Sequence, residues 1–230
     1  MKKRVKITTL EWILDMIYPC YCRGCGIIGT TFCDCCFFDN IRENPPFFTS
    51  NDRNFVNIFA CGIRTGQLSK LVSDYKFYSR RHYVRVLARY LDETISRLSP
   101  GVEYVLIPLP TIERHIRERG FDHMKRICKD FADLTGFWMC SALTRANSTV
   151  QVGSDAKTRL KQAKGAYKIN PKVTLDLKSH FLLVDDVWTT GASMRAARDV
   201  LEAELLRLGA KKAEIKISAI CLAKNDGYEF

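Results

Sequence analysis

Two spacings of apolar residues run along this chain: the three-to-four-residue step of amphipathic helices and short continuous runs of the kind buried strands carry. Leu10, Ile13, Leu14 and Ile17 share one helical face and Pro19 stops it, which predicts a short N-terminal helix. From Gln67 onward, helical segments at 68–75, 82–98, 126–134 and about 193–208 alternate with strand-like runs at 104–109, 181–187 and 213–222. That alternation is what a parallel α/β sheet requires, and a first strand is expected around 55–61. Three regions follow. Residues 1–45 hold the helix and a group of cysteines. Residues 46–66, opening at Pro45-Pro46 and rich in Asn and Thr, read as a linker with the first strand, and 67–230 form the α/β domain. No internal repeat or low-complexity tract interrupts them.

The cysteines change this picture most. Of ten, six lie between Cys20 and Cys36, while Cys61, Cys128, Cys140 and Cys221 are scattered. Glu11 and Asp15 interrupt the segment that would have to be the uncharged heart of a secretory signal, and no small-residue cleavage site follows. A cytoplasmic protein with reduced thiols is expected, and no apolar run approaches the roughly 18 residues of a membrane span. Cys22-x2-Cys25, seven residues, then Cys33-x2-Cys36 is the spacing of two metal-gripping turns, with Gly24 and Gly26 relaxing the first. Cys22, Cys25, Cys33 and Cys36 are the expected ligands of a structural Zn²⁺, Cys20 and Cys35 being surplus. An iron–sulfur cluster fits the spacing less well.

The run FLLVDDVWTTGASMRAA, 181–197, brings an apolar strand to two consecutive carboxylates, Asp185 and Asp186, then turns through Thr189, Thr190, Gly191, Ala192 and Ser193 into a helix. Ligands of open α/β sheets sit beyond the carboxyl ends of strands. A loop of small and hydroxylated residues opening a helix offers N–H groups and a positive dipole end to an anion. Adjacent carboxylates accept from a vicinal diol, so the segment describes a cradle for a ribose 5-phosphate. No GxxxxGK[ST] is present, which excludes a nucleotide P-loop. Trp188 either stacks on a base or packs in the core. Upstream, Arg114, Arg117 and Arg119 crowd one short loop or helical turn before Gly120. They form either an anion-binding cluster or a solvated basic face.

The 181–197 segment closely resembles the 5-phosphoribosyl-1-pyrophosphate (PRPP) motif of type I phosphoribosyltransferases. With the cysteine pairs and RERGFDH, 117–123, the chain resembles the ComF family, which joins a four-cysteine zinc module to a phosphoribosyltransferase domain. Lys76-Phe77, Ser148-x-x-Gln151, Arg159 and Gly165-Ala166-Tyr167 resemble further family stretches. Asp122 and His123 stand where the family commonly has Asn and Gln, and Gln162 stands near another family Asn. The resemblance implies an α/β fold with a type I phosphoribosyltransferase-like parallel sheet flanked by helices. It implies that PRPP lies against Asp185, Asp186 and 189–193, with Mg²⁺ accompanying it, and that Lys76, Arg114, Arg117, Arg119 and Gly120 face the pyrophosphate. It further implies a cytoplasmic role in DNA uptake during natural transformation, with single-stranded DNA and uptake machinery or a helicase as partners. The alternative is an active Mg²⁺-dependent transferase acting on a nitrogen acceptor.

Charge bears on the DNA reading: 36 Lys and Arg against 25 Asp and Glu leave +11. A pI near 9.2 asks for an anionic partner. Phe47, Phe48, Phe77 and Tyr78 are candidate stacking platforms, with core packing as the other fate of each.

Overall fold

The computed structural model describes residues 19–78, 81–146 and 165–227. After the cysteine turns come helix α1 (Asp34–Glu43), strands β1 (Phe47–Thr49) and β2 (Ile58–Ala60), and helices α2 (Gly66–Tyr78) and α3 (Arg81–Leu98). Strand β3 (Val105–Pro108), helices α4 (Glu113–Arg119) and α5 (His123–Thr135), and strands β4 (Trp138–Met139), β5 (Leu143–Arg145) and β6 (Tyr167–Ile169) follow. Strand β7 (His180–Trp188), helix α6 (Ala192–Arg207), a 3₁₀ turn and strand β8 (Lys216–Lys224) complete the order. The expected N-terminal helix and Ser148, Gln151, Arg159 and Gln162 fall outside the described residues.

The main sheet has the order β1-β2-β8-β7-β3-β4. All its neighbours run parallel except β1, which pairs antiparallel with β2. Strands β1 and β2 thus carry the 46–66 segment into the sheet. β5 and β6 form a separate antiparallel pair. Side chains alternate across the sheet as a two-residue period dictates. Leu182 and Val184 enter a core with α2, α3 and α5, while Phe181 and Leu183 enter a second core with α6. The apolar runs are near-continuous because both faces are covered. Helix α5 begins three residues before the periodic pattern does, because the Asp122 carboxylate caps it by accepting from Lys125 N–H at 3.2 Å.

The cysteine module is packed onto this domain. Phe37 and Ile41 of α1 are buried in the α2–α3–α5 core, and the Tyr90 hydroxyl donates to Asn40 Oδ1 at 2.6 Å. Arg23 pairs with Asp74 at 3.2 Å, and Arg89 pairs with Asp34 while lying 4.1 Å over the Phe37 ring. Asn44 closes the join: its amide donates to Ile63 C=O at 2.7 Å and accepts from Ile63 N–H at 2.8 Å. No described helix is long and apolar enough to cross a membrane.

Candidate functional site

From β3 the chain moves outward to β4 on one side; from β7 it moves to β8 on the other. The boundary between β3 and β7 is therefore a topological switch point, where loops diverge and leave a crevice at the carboxyl ends of the strands. Asp185 and Asp186 sit at that end of β7, opposite the segment that carries Thr111 out of β3.

A regular strand would send adjacent carboxylates to opposite faces. Here the alternation slips by one residue across the acidic pair. Leu182 and Val184 share a core with Val187, whereas Phe181 and Leu183 share the other with Trp188. Strand β8 slips alongside, with Leu222 and Ala223 both in the first core. The slip lifts the constraint of strict alternation where two neighbouring carboxylates are wanted together.

The loop after them is held from behind. Gly191 has φ 71°, and a Cβ there would lie 2.3 Å from the Trp188 ring and 2.6 Å from Arg195 Nη1, so only glycine fits. Arg195 donates to Thr190 C=O at 2.7 Å and to Asp52 Oδ2 at 2.9 Å. Burial pushes the Asp52 carboxyl up, but Arg195 and the Asn54 N–H outweigh it and hold it below its ordinary range. Trp188 is 1% exposed, edge-on to Phe55 at 6.3 Å: it packs. Residues 190–193 thereby form the N-terminal entry of the 16-residue α6, with the Ala192 N–H 3.4 Å from Thr190 Oγ1.

On the other wall His123, the first residue of α5, bonds Asp186 Oδ2 through Nε2 at 2.9 Å. Its Nδ1 lies 3.1 Å from Thr111 Oγ1 and 3.5 Å from Arg119 Nη1, and Thr111 donates to Asp122 Oδ1 at 3.0 Å. No local pattern pairs His123 with Asp186; its one signal in the sequence is that Asp122 and His123 stand where the ComF pattern commonly has Asn and Gln. Of the three arginines, Arg119 alone is seen to reach this network. α4 is a helix rather than a loop, and Arg119 projects about 140° round it from Arg114. Arg114 pairs with Glu118 at 3.1 Å on the exposed side, and Arg117 is exposed there too. Gly120 ends α4 at φ 76°. Lys76 lies near the end of α2, and only its backbone is described.

Arg145 at the end of β5 was not singled out from sequence. Its guanidinium lies 5.1 Å over the Tyr167 ring, and its buried Nε has no hydrogen-bond partner among the described residues. Burial pushes the Tyr167 hydroxyl up to about 12, with Asp185, Arg145 and Ser193 as its polar neighbours. Through Tyr167, Arg145 shares its surroundings with Asp185 and Ser193.

The four cysteines form a second centre. The sulfurs of Cys22, Cys25, Cys33 and Cys36 all lie within 4.8 Å of one another. Cys25 and Cys33 sulfurs are 3.7 Å apart, against the roughly 3.8 Å edge of a tetrahedron with Zn–S bonds near 2.3 Å. N–H groups of Gly24 and Cys33 point at Cys22 Sγ at 3.4 and 3.3 Å, and that of Cys36 at Cys33 Sγ at 3.5 Å. Burial pushes the Cys22 thiol up, yet the N–H groups of Cys25, Cys33 and Gly24 bring it down to about 6. A Cβ on Gly24 would lie 2.4 Å from Cys36 Sγ, so the turn closes on the cluster only with glycine. The donors, spacing and closure fit a four-thiolate metal centre. Neither Cys20 nor Cys35 belongs to it.

No protein-family model matches the chain. Among curated proteins it is 21% identical to competence protein ComFC of Bacillus subtilis (strain 168) over 188 residues, 79% of this chain and 66% of that protein. The chain is similar to ComFC. This, with the cysteine cluster, bears out the ComF resemblance read from the motifs, and the chain spans about two thirds of ComFC's length. The solved structures with likeness include adenine phosphoribosyltransferase from Leishmania tarentolae, 13% identical with TM-score 0.40, covering 78% of this chain and 95% of that one. Adenine phosphoribosyltransferase from Trypanosoma brucei, in complex with AMP, pyrophosphate and ribose-5-phosphate, is 8% identical with TM-score 0.39, covering 78% and 87%. As in the ComF pattern, a mostly parallel sheet flanked by helices follows a small four-cysteine module.

Proposed function

We propose that the chain binds a ribose 5-phosphate ligand, PRPP foremost, between the carboxyl ends of β3 and β7, and acts on single-stranded DNA in a ComFC-like uptake role. One observation carries the first half: the acidic strand end, the hydroxylated loop and the Gly191-led helix N-terminus meet at the switch point. In this reading Asp185 and Asp186 accept from the ribose hydroxyls, while Thr189, Thr190, Gly191, Ala192 and Ser193 hold the 5-phosphate. Arg119 faces the pyrophosphate, together with Lys76 and Gly120 by family resemblance, and Mg²⁺ accompanies that group. The four cysteines hold a structural Zn²⁺, a closed shell with no open position for chemistry.

The DNA half rests on the +11 charge and on the competence role in ComFC's name. Its partners would be the uptake machinery or a helicase on the cytoplasmic side. Titration calorimetry with PRPP and Mg²⁺ tests the ligand: binding that Asp185→Asn and Asp186→Asn each weaken at least tenfold is expected, and unchanged affinity in both would place the cradle elsewhere.

A second reading is transfer of the phosphoribosyl group to a nitrogen acceptor. The acceptor N–C1 bond forms, the C1–O bond to pyrophosphate breaks, and the acceptor's proton is released. Arg119 favours this reading, since a guanidinium beside the crevice takes up the charge of the departing pyrophosphate. Pyrophosphate release across a panel of nucleobases tests it, and no release above blank removes it.

A further inference from the structure

Asp186 belongs to β7 and Arg119 ends α4, and one side chain touches both: the imidazole of His123, which opens α5 four residues after Arg119. Nε2 lies 2.9 Å from Asp186 Oδ2, and Nδ1 lies 3.5 Å from Arg119 Nη1. The two partners have opposite hydrogen-bonding character. An ionised carboxylate only accepts, so Nε2 donates to it; a guanidinium only donates, so the nitrogen facing it bonds as an acceptor. Thr111 stands on the Nδ1 side, with its Oγ1 3.1 Å from the ring nitrogen and 3.0 Å from Asp122 Oδ1.

The ring has little room to turn. Its side chain is 8% exposed, the buried Tyr75 hydroxyl donates to the His123 C=O at 3.3 Å, and Asp122 caps the helix that His123 begins. A side chain held this firmly at its root fixes what its two nitrogens hold. In the ribose phosphate reading, Asp186 meets the ribose hydroxyls and Arg119 meets the pyrophosphate. PRPP carries that pyrophosphate on C1, the neighbour of the carbon that bears the 2-hydroxyl; ribose 5-phosphate carries only a hydroxyl there. The separation between carboxylate and guanidinium therefore matters for one of these ligands and not for the other. Asp122 and His123 are also positions at which the chain departs from the ComF pattern, so that pattern assigns them no such part.

We propose that His123 is a positioning residue that holds the Asp186 carboxylate and the Arg119 guanidinium at one fixed separation, and so makes the crevice prefer a ribose phosphate with a pyrophosphate on C1 to one without. The proposal rests on the reading of the crevice as a ribose 5-phosphate site. His123 acts through the two side chains that it bridges: its donor face serves the ribose end and its acceptor face the pyrophosphate end.

The test is titration calorimetry with Mg²⁺, PRPP directly and ribose 5-phosphate by displacement of PRPP, read as the ratio of the two affinities, with urea midpoints taken for every variant. A glutamine amide nitrogen reaches the place of Nε2 and an asparagine amide oxygen the place of Nδ1, so each substitution keeps one side of the bridge. His123→Gln, which keeps the donor to Asp186 and gives up the acceptor for Arg119, weakens PRPP roughly 3- to 10-fold more than ribose 5-phosphate, the range for one hydrogen bond. His123→Asn, which gives up the donor to a charged group, weakens both ligands about tenfold or more and leaves their ratio within about twofold. In an Arg119→Ala background His123→Gln no longer moves the ratio, because the two residues act as a pair. No binding of either ligand by the wild-type chain sinks the ribose phosphate reading and this proposal with it. Wild-type binding with no preference for PRPP, or a preference that His123→Gln leaves unchanged, sinks the positioning role alone. So does a common loss for both ligands in both variants, which is what a loosened fold gives. If His123→Asn folds poorly, His123→Gln with and without Arg119→Ala decides the matter.

Discussion

Nε2 of His123 stands 2.9 Å from Oδ2 of Asp186, with the two side chains 8% and 15% exposed. An ionised Asp186 only accepts, so the imidazole donates to it, as the Asp186 N–H donates to Asp185 Oδ1 at 2.9 Å. Removing the imidazole takes a hydrogen bond away from a carboxylate that is only 15% exposed. His123→Ala is expected to cost about 1–3 kcal/mol in urea unfolding. His123→Gln, whose amide can still donate, is expected to cost less, and equal costs for both would show that the bond contributes nothing.

The three arginines should separate by face. Arg119→Ala is expected to weaken PRPP binding at least tenfold, whereas Arg114→Ala, which loses an exposed pair with Glu118, changes it less than twofold. Calorimetric titration of the two variants side by side measures the contrast.

Gly191→Ala should damage the loop twice over, through a strained left-handed backbone and through collision with Trp188 and Arg195. A loss of about 1–3 kcal/mol in stability is expected, with PRPP affinity falling because the N–H groups at the start of α6 move.

His180 gives the chain an acid dependence of known sign. Its folded value of about 4 lies below the usual 6.5, so in between the unfolded chain takes a proton that the folded chain refuses. Stability from this group is full above about pH 6.5 and is lost as pH falls toward 4. Urea midpoints from pH 4 to 7.5 should show a shallower decline in His180→Gln. Burial lowers His115 as well, in the same direction, so the difference between the two profiles isolates His180.

Metal analysis of the purified protein should return about one zinc per chain. Cys25→Ser or Cys36→Ser should lose it with a fall of several degrees in the thermal midpoint. Cys35→Ser should keep it, because that exposed thiol stands outside the four-sulfur cluster.

What could be read from the chain was what is local. The cysteine pairs declare themselves by spacing, and the run from Phe181 to Ser193 by an apolar stretch ending in acids, hydroxyls and glycine. His123 and Asp186 are 63 residues apart and meet only because β3 and β7 are sheet neighbours, which no local pattern encodes. The arginines look like one cluster when counted and become two faces once α4 winds them. Trp138 begins a two-residue edge strand, too short to carry any period, whereas Phe47 and Phe48 stand out as an aromatic pair. Phe47 packs against the α6 core, and Phe48 leans on Phe59 at 6.0 Å.

Cys33 both belongs to the four-sulfur cluster and caps α1, and α1 delivers Phe37 and Ile41 into the same core as Leu106 of β3 and Leu182 of β7. The module is therefore a keystone of the larger domain and not a detachable pendant. On the proposed zinc assignment, a cell starved of the metal would hold less intact protein altogether, so nutrient metal would set the supply of the whole α/β domain.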